Sequence, residues 1–123
     1  MSSKLAGRSI LVVEDEPLIA MEIAQVFQNA GAAVTTTTTL KQALILVEHD
    51  GLAAAILDHA LRDGDSTRLC QRLEERDIPF VIYSGFARVD GVCGRGPLIA
   101  KPASADVLLA TVEGLLRPKP DQD

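Results

Sequence analysis

Aromatic residues are scarce: the chain has no tryptophan, one tyrosine and three phenylalanines among 123 residues. Phe27, Phe80, Tyr83 and Phe86 are too few for a stacking platform on single-stranded nucleic acid or an aromatic belt at a bilayer, so the core must be aliphatic. An excess of basic charge is missing too. Twelve Lys and Arg stand against 17 Asp and Glu, a formal net charge of −5, and the basic residues are scattered. Nothing resembles the stripe that neutralises a phosphate backbone, and direct binding to DNA or RNA is not expected. No apolar run approaches the roughly 18 to 20 residues that cross a membrane, and residues 1–8 lack the apolar stretch of a secretory signal. A cytoplasmic protein without membrane insertion is the expectation. Cys70 and Cys93 are the only cysteines. A domain of this size can bury a core without a staple, so reduced, non-catalytic thiols are expected, not a disulfide framework or a zinc ribbon.

What the chain does have is alternation. Residues 9–13 form a short aliphatic run, followed by Glu14, Asp15, Glu16 and then Pro17, a residue suited to the first turn of a helix. Leu18, Ile19, Ile23, Val26 and Phe27 recur at helical spacing, with Gly31 as a left-handed cap. Residues 34–38 are β-branched and predict a second strand; Leu40, Ala43, Leu44 and Val47 give the next helical face. The unbroken apolar run 52–57 predicts a central strand covered on both faces, with Asp58 at its end. A loop over 58–65 leads to a helix carrying Leu69 and Leu73. Residues 79–83 predict a fourth strand and 98–100 a short fifth. Ser104 caps a last helix containing Val107, Leu108, Val112, Leu115 and Leu116. The rhythm is (βα)5, hence an α/β doubly wound, parallel five-stranded sheet. Residues 87–97 carry Gly91, Gly94 and Gly96 and predict a mobile loop or one irregular turn where a fourth helix would stand. The expected domain runs over 8–117, with flexible termini at 1–7 and 118–123. Met1 and the short polar tail lead one to expect a complete chain.

Five polar residues fall just after the apolar runs: Glu14, Asp15, Asp58, Ser84 and Lys101. A parallel sheet opens its ligand crevice beyond the carboxyl ends of its strands, so these groups should converge there. Taken singly, each has a plainer reading, as a first-turn acid complementing a helix dipole, a helix cap or a turn residue. Their order and strand-end placement carry the functional reading. Mg²⁺ prefers oxygen ligands and commonly takes one or two carboxylates together with phosphate oxygens. Asp15 and Asp58 are the natural direct ligands, and Glu14 can reach metal-bound water. A carboxylate can attack phosphorus to give an acyl phosphate, and Asp58, alone at the end of the central strand, is the candidate nucleophile. Ser84 and Lys101 would then meet the charge that spreads over the phosphoryl oxygens during transfer. Pro102 helps fix the backbone of Lys101. A carboxylate needs no base for this attack, which leaves His59 a bland loop residue, and His49 reads as a dipole partner at a helix end. The glycines at 91, 94 and 96 match no phosphate-binding loop, and nucleotide binding is not expected.

At these residues the chain resembles the receiver domain of bacterial two-component response regulators, over roughly residues 8–117. Val12-Val13-Glu14-Asp15-Glu16-Pro17 is similar to the family's acidic pocket, Asp58 to its phosphoacceptor, Ser84 to its Ser/Thr and Lys101-Pro102 to its Lys-Pro. The resemblance implies a flavodoxin-like fold and Mg²⁺-dependent transfer of a phosphoryl group to Asp58 from the phosphohistidine of a sensor histidine kinase. It also implies Ala60 as a metal ligand through its backbone carbonyl. Residues 79–86 further resemble the Pro-Phe-x-Phe-Ala-Thr-Gly-Tyr signature of an atypical receiver group, largely single-domain, whose fourth helix is often poorly formed.

The chain also departs from the pattern. Leu98 stands where receivers usually carry a switching aromatic, Arg62 replaces the usual proline of the loop after the phosphoacceptor, and the segment between Ser84 and Lys101 is short. The expectation is a single-domain response regulator that signals or sinks phosphate in a phosphorelay and catalyses only its own phosphorylation and dephosphorylation. It would partner a histidine kinase and a phosphotransfer or target protein. Two other classes are open. A phosphate-independent pseudo-receiver would have no reason to keep three mutually repelling acids. A phosphohydrolase of the haloacid dehalogenase type would want a second Asp where Ala60 stands.

Overall fold

A computed structural model describes residues 4–58, 60–61, 63–85, 92–101 and 103–116. His59, Arg62, Phe86, Gly91 and Pro102, which the sequence reading named, lie outside the described residues, as do the extreme termini. In chain order the elements are β1 (Ser9–Val13), α1 (Pro17–Asn29), β2 (Ala33–Thr37), α2 (Leu40–Leu46), β3 (Leu52–Leu57), a hairpin of β4 (Ala60–Leu61) and β5 (Gly64–Asp65), α3 (Thr67–Glu75), β6 (Phe80–Ser84), a 3₁₀ turn (Val92–Arg95), β7 (Leu98–Ala100) and α4 (Ala105–Leu115). Five strands form one parallel sheet in the order β2-β1-β3-β6-β7. The chain reverses its direction of winding between β1 and β3, and at such a point a doubly wound sheet opens a crevice.

Alternation along the strands sorts the core into two layers. Ile10, Val12, Ala54, Ile56, Val81 and Tyr83 point to one face and pack with Ile23 and Phe27 of α1 and Leu108 and Val112 of α4. Leu11, Val13, Ala55, Leu57, Phe80 and Ile82 point to the other and pack with Ala43 of α2, Val47 just beyond it, and Leu69 and Leu73 of α3. β2 is an edge strand, with only Thr37 buried, which is why its run is threonine-rich and not aliphatic.

Local signals account for the helix ends. Pro17 opens α1, and Gly31, at φ 96°, turns the chain back toward β2 while its carbonyl accepts from Gly7 N at 2.9 Å. The Thr39 hydroxyl caps α2 by accepting from Gln42 N, and Ser104 caps α4 by accepting from Val107 N; such caps satisfy amide donors that have no partner inside the helix. Between β6 and β7 the described residues hold only the single 3₁₀ turn, in keeping with an irregular fourth helix. Gly96 follows it where a Cβ would stand 2.8 Å from the Phe80 carbonyl oxygen, so this glycine is demanded by close packing on β6.

Three expectations need correction. Leu18 of α1 and Val107 of α4 were placed on core faces, yet they are exposed; α1 buries Ala20, Ile23, Ala24 and Phe27 instead. Helical spacing leaves the width of a stripe open, and the sheet covers a narrower one than the periodicity allows. Ser84 is the last residue of β6 and not the first residue after it. Cys70 and Cys93 are joined as a disulfide, with Cα atoms 5.3 Å apart. Both occupy the α2/α3 face of the core, where α3 docks against the 3₁₀ turn; that docking belongs to the tertiary structure and leaves no mark in the spacing of two cysteines.

Candidate functional site

The strands deliver the site by continuing their backbone ladders one residue past the sheet. Glu14 N donates to Thr37 O at 3.0 Å, Asp58 N to Val13 O at 2.8 Å and Lys101 N to Ser84 O at 2.8 Å. Each residue is thereby fixed at a strand end before its side chain makes any contact.

The side chains converge as the spacing predicts. One carboxylate oxygen from each of Glu14, Asp15 and Asp58 lies within 4.8 Å of the others. Glu14 and Asp58 are buried, and Asp15 is half-buried. Lys101 closes the group: its Nζ donates to Glu14 Oε1 at 2.9 Å and to Asp58 Oδ2 at 3.2 Å. The second oxygen of Glu14 accepts from Glu16 N at 3.1 Å, so both of its oxygens are engaged within the protein. Burial acts against the Lys101 ammonium, but the Glu14 hydrogen bond and the charge of Asp58 outweigh it and raise its pKa above the ordinary lysine value. The Lys101 Nζ also lies over the Tyr83 ring, 5.3 Å from its centroid, a cation–π distance. Ser84 is buried at the end of β6, next to β3 in the sheet. Ala60 begins the small hairpin two residues beyond Asp58, its backbone paired with Asp65.

Sequence reasoning missed four contributors. Tyr83 was counted only as an aromatic. Ser66 stands at the N-cap position of α3, yet its hydroxyl makes no cap bond. Instead it donates to the Asp58 carbonyl oxygen at 2.6 Å. Asp63 accepts from Leu40 N at 2.9 Å and Lys41 N at 3.2 Å, capping α2 from the loop beyond Asp58. The Cys70–Cys93 bond lies just behind that loop. Of these, only Asp65-Ser66-Thr67 carried a local signal, that of a helix start, and it pointed to the wrong partner for the hydroxyl.

Three hard oxygen donors beside a lysine suit a divalent cation of the Mg²⁺ type and the oxygens of a phosphoryl group far better than a soft metal or an apolar ligand. A doubly wound sheet of order 2-1-3-4-5, with acids at the ends of its first and third strands and a lysine at the end of the last, defines the receiver class.

Comparison with known proteins agrees. The sequence matches the response regulator receiver domain family over residues 10–113, and the chain belongs to that family. It is 29% identical over 121 residues to the sensory transduction protein RegX3 of Mycobacterium tuberculosis, covering 94% of this chain and 53% of RegX3; the chain thus spans about half the length of that relative. Among solved structures, SdrG from Sphingomonas melonis Fr1 superposes with a TM-score of 0.75 at 36% identity, over 92% of this chain and 98% of that one. A CheY-like receiver domain from Methanospirillum hungatei shares the fold, with a TM-score of 0.80 at 24% identity over 89% of this chain and 94% of that one. Family membership places the chain in two-component signalling. Among the described residues no helix is long and apolar enough to cross a membrane.

Proposed function

We propose that this protein is a phosphoreceiver in which Asp58 accepts a phosphoryl group from the phosphohistidine of a sensor histidine kinase, in a Mg²⁺-dependent reaction. The observation that carries the reading is the Lys101 ammonium bridging Glu14 and Asp58, with Asp15 completing a three-carboxylate cluster. A Asp58 oxygen attacks phosphorus, the phosphorus–nitrogen bond breaks, and the imidazole of the kinase leaves with the bonding electrons.

Asp15, Asp58 and the Ala60 carbonyl would hold the metal, with Glu14 as a further ligand or as acceptor for its waters. The cation supplies charge neutralisation for the incoming phosphoryl oxygens. Lys101 already contacts the nucleophile, so its ammonium is within reach of a group attached there. Ser84, at the end of the neighbouring strand, offers a hydroxyl donor to the same oxygens. No activity on an outside substrate is proposed: the protein catalyses only its own phosphorylation and dephosphorylation.

The test is an amide NMR titration with Mg²⁺ and then beryllofluoride, an acyl-phosphate mimic, on the wild type and Asp58→Asn. Saturable shifts at Asp15, Asp58, Ser84 and Lys101 that the variant abolishes are expected. A spectrum that neither reagent changes would leave a phosphate-independent binding module as the better reading.

A further inference from the structure

The Cys70–Cys93 bond spans the two flanks of the Asp58 site. Cys70 lies in the first turn of α3, where its N–H donates to Ser66 O at 2.8 Å. The Ser66 hydroxyl in turn holds the Asp58 carbonyl at 2.6 Å. One helical turn therefore separates the sulfur from the backbone of the phosphoacceptor. Cys93 lies in the 3₁₀ turn between β6, which ends in Ser84, and β7, which leads into Lys101. Beside the bond, the described contacts between the turn and α3 include the exposed Arg95–Glu74 ion pair, and pairs of that kind are weak.

We infer that Cys70 and Cys93 form a redox latch on the phosphoreceiver, a reading that rests on the function proposed above. The bond ties the turn that leads toward Lys101 to the helix whose start holds the Asp58 carbonyl, in an arrangement where Lys101 Nζ already sits 3.2 Å from Asp58 Oδ2. A cross-link that favours one arrangement draws population from any other, so the oxidised protein binds the phosphoryl group less well than the dithiol form. Linkage makes the effect reciprocal: a bound phosphoryl group shifts the equilibrium with a dithiol reductant toward the reduced cysteine pair.

The chemistry is thiol–disulfide exchange. A thiolate of a dithiol reductant attacks one sulfur, the Cys70–Cys93 bond breaks, and a mixed disulfide forms as the displaced thiolate takes up a proton. The reductant's second thiol then resolves the mixed disulfide. Two electrons and two protons pass to the cysteine pair, and the reductant leaves as its own disulfide. Reoxidation is the reverse exchange with a disulfide oxidant. Both cysteines are shielded from solvent, at 0% and 1% exposure, so attack requires the 3₁₀ turn to move off α3. The rate of reduction therefore reports on the motion that the bond restrains.

The experiment measures beryllofluoride affinity, with Mg²⁺ present, for oxidised wild type, for wild type reduced by dithiothreitol, and for Cys93→Ala under both conditions. Amide spectra without beryllofluoride check that each form is folded. The reduced wild type should bind about tenfold more tightly than the oxidised form, within the usual range of coupling between sites. Cys93→Ala should match the reduced form under either condition. Should Cys93→Ala fail to fold, the fraction of wild type in the dithiol form at equilibrium in a dithiothreitol redox buffer, with and without beryllofluoride, decides alone, and a larger dithiol fraction with beryllofluoride is expected. Equal affinities in the two redox states together with an unchanged dithiol fraction at equilibrium overturn the latch and leave the phosphoreceiver intact. Absence of binding in both redox states overturns both.

Discussion

The buried Ser66 hydroxyl donates to the carbonyl oxygen of Asp58 at 2.6 Å, although Ser66 occupies the position from which a serine would ordinarily cap α3. The bond sets the direction in which the chain leaves β3 and anchors α3 to the residue at the centre of the site. Replacing Ser66 with Ala leaves that carbonyl without its donor in a buried setting. A loss of about 1 to 3 kcal/mol in urea denaturation is expected, together with weaker beryllofluoride binding. Unchanged stability would mean that water or a backbone shift restores the bond.

Lys101 is the counter-charge of two buried acids. Lys101→Met should destabilise the protein by about 2 kcal/mol, below the range for fully buried pairs because the lysine side chain is 24% exposed. Mg²⁺ should recover much of the loss, since a cation among the carboxylates takes over the role of the ammonium. Denaturation curves in chelator and in excess Mg²⁺ separate the two contributions, and a loss of the same size in both would count against a metal site at these acids.

Glu14 and Asp15 should differ in kind. Glu14 is 2% exposed and engages Lys101 and the Glu16 amide, so Glu14→Gln should lower stability more than Asp15→Asn does. Asp15→Asn should act mainly on Mg²⁺ affinity, weakening it by tenfold or more, because it removes a full charge from the ligand set. Isothermal titration beside thermal unfolding makes the comparison.

Asp63 ties the loop after β3 to the start of α2. Its carboxyl is held below the usual range chiefly by the Leu40 N–H, against the opposing effect of desolvation, with the Lys41 N–H assisting. A group whose folded pKa is depressed stabilises the protein above its unfolded pKa, and the contribution fades as pH falls through the folded value. Wild type should therefore lose stability below about pH 4 more steeply than Asp63→Asn, and the two curves should converge in strong acid. Parallel curves from pH 7 to pH 2 would show that the cap contributes nothing measurable.

Reduction of Cys70–Cys93 frees a loop with a sequence separation of 23 residues. Loop-closure entropy predicts a loss of about 3 kcal/mol relative to the oxidised protein. Guanidinium denaturation with and without dithiothreitol measures it, and a difference under about 1 kcal/mol would point to an unfolded state already compact between the two cysteines.

Much of the fold was legible because its signals are local. Pro17, Gly31 and Ser104 mark helix ends by backbone chemistry that operates over a few residues, and the run at 52–57 declares a strand covered on both faces. The misplacement of Leu18 and Val107 shows where such signals stop. A helical stripe names a side of the helix, while the width that is buried depends on what docks there. The site was legible for a topological reason. Strand ends in a parallel sheet meet at one edge, so Glu14, Asp15, Asp58, Ser84 and Lys101 could be placed together from their positions after apolar runs alone.

The sequence by itself determined the parallel sheet, its order of elements and the residues at the strand ends, because strand alternation, helix caps and chain connectivity are properties of neighbours along the chain. The tertiary structure alone decided that Lys101 bridges Glu14 and Asp58 with its ammonium over the Tyr83 ring, and that Ser66 holds the Asp58 carbonyl while Asp63 caps α2. It alone decided that Cys70 meets Cys93. Each of these contacts joins residues from different elements, and its partner is fixed by how helices and loops settle on the sheet, a matter of packing that no local pattern encodes.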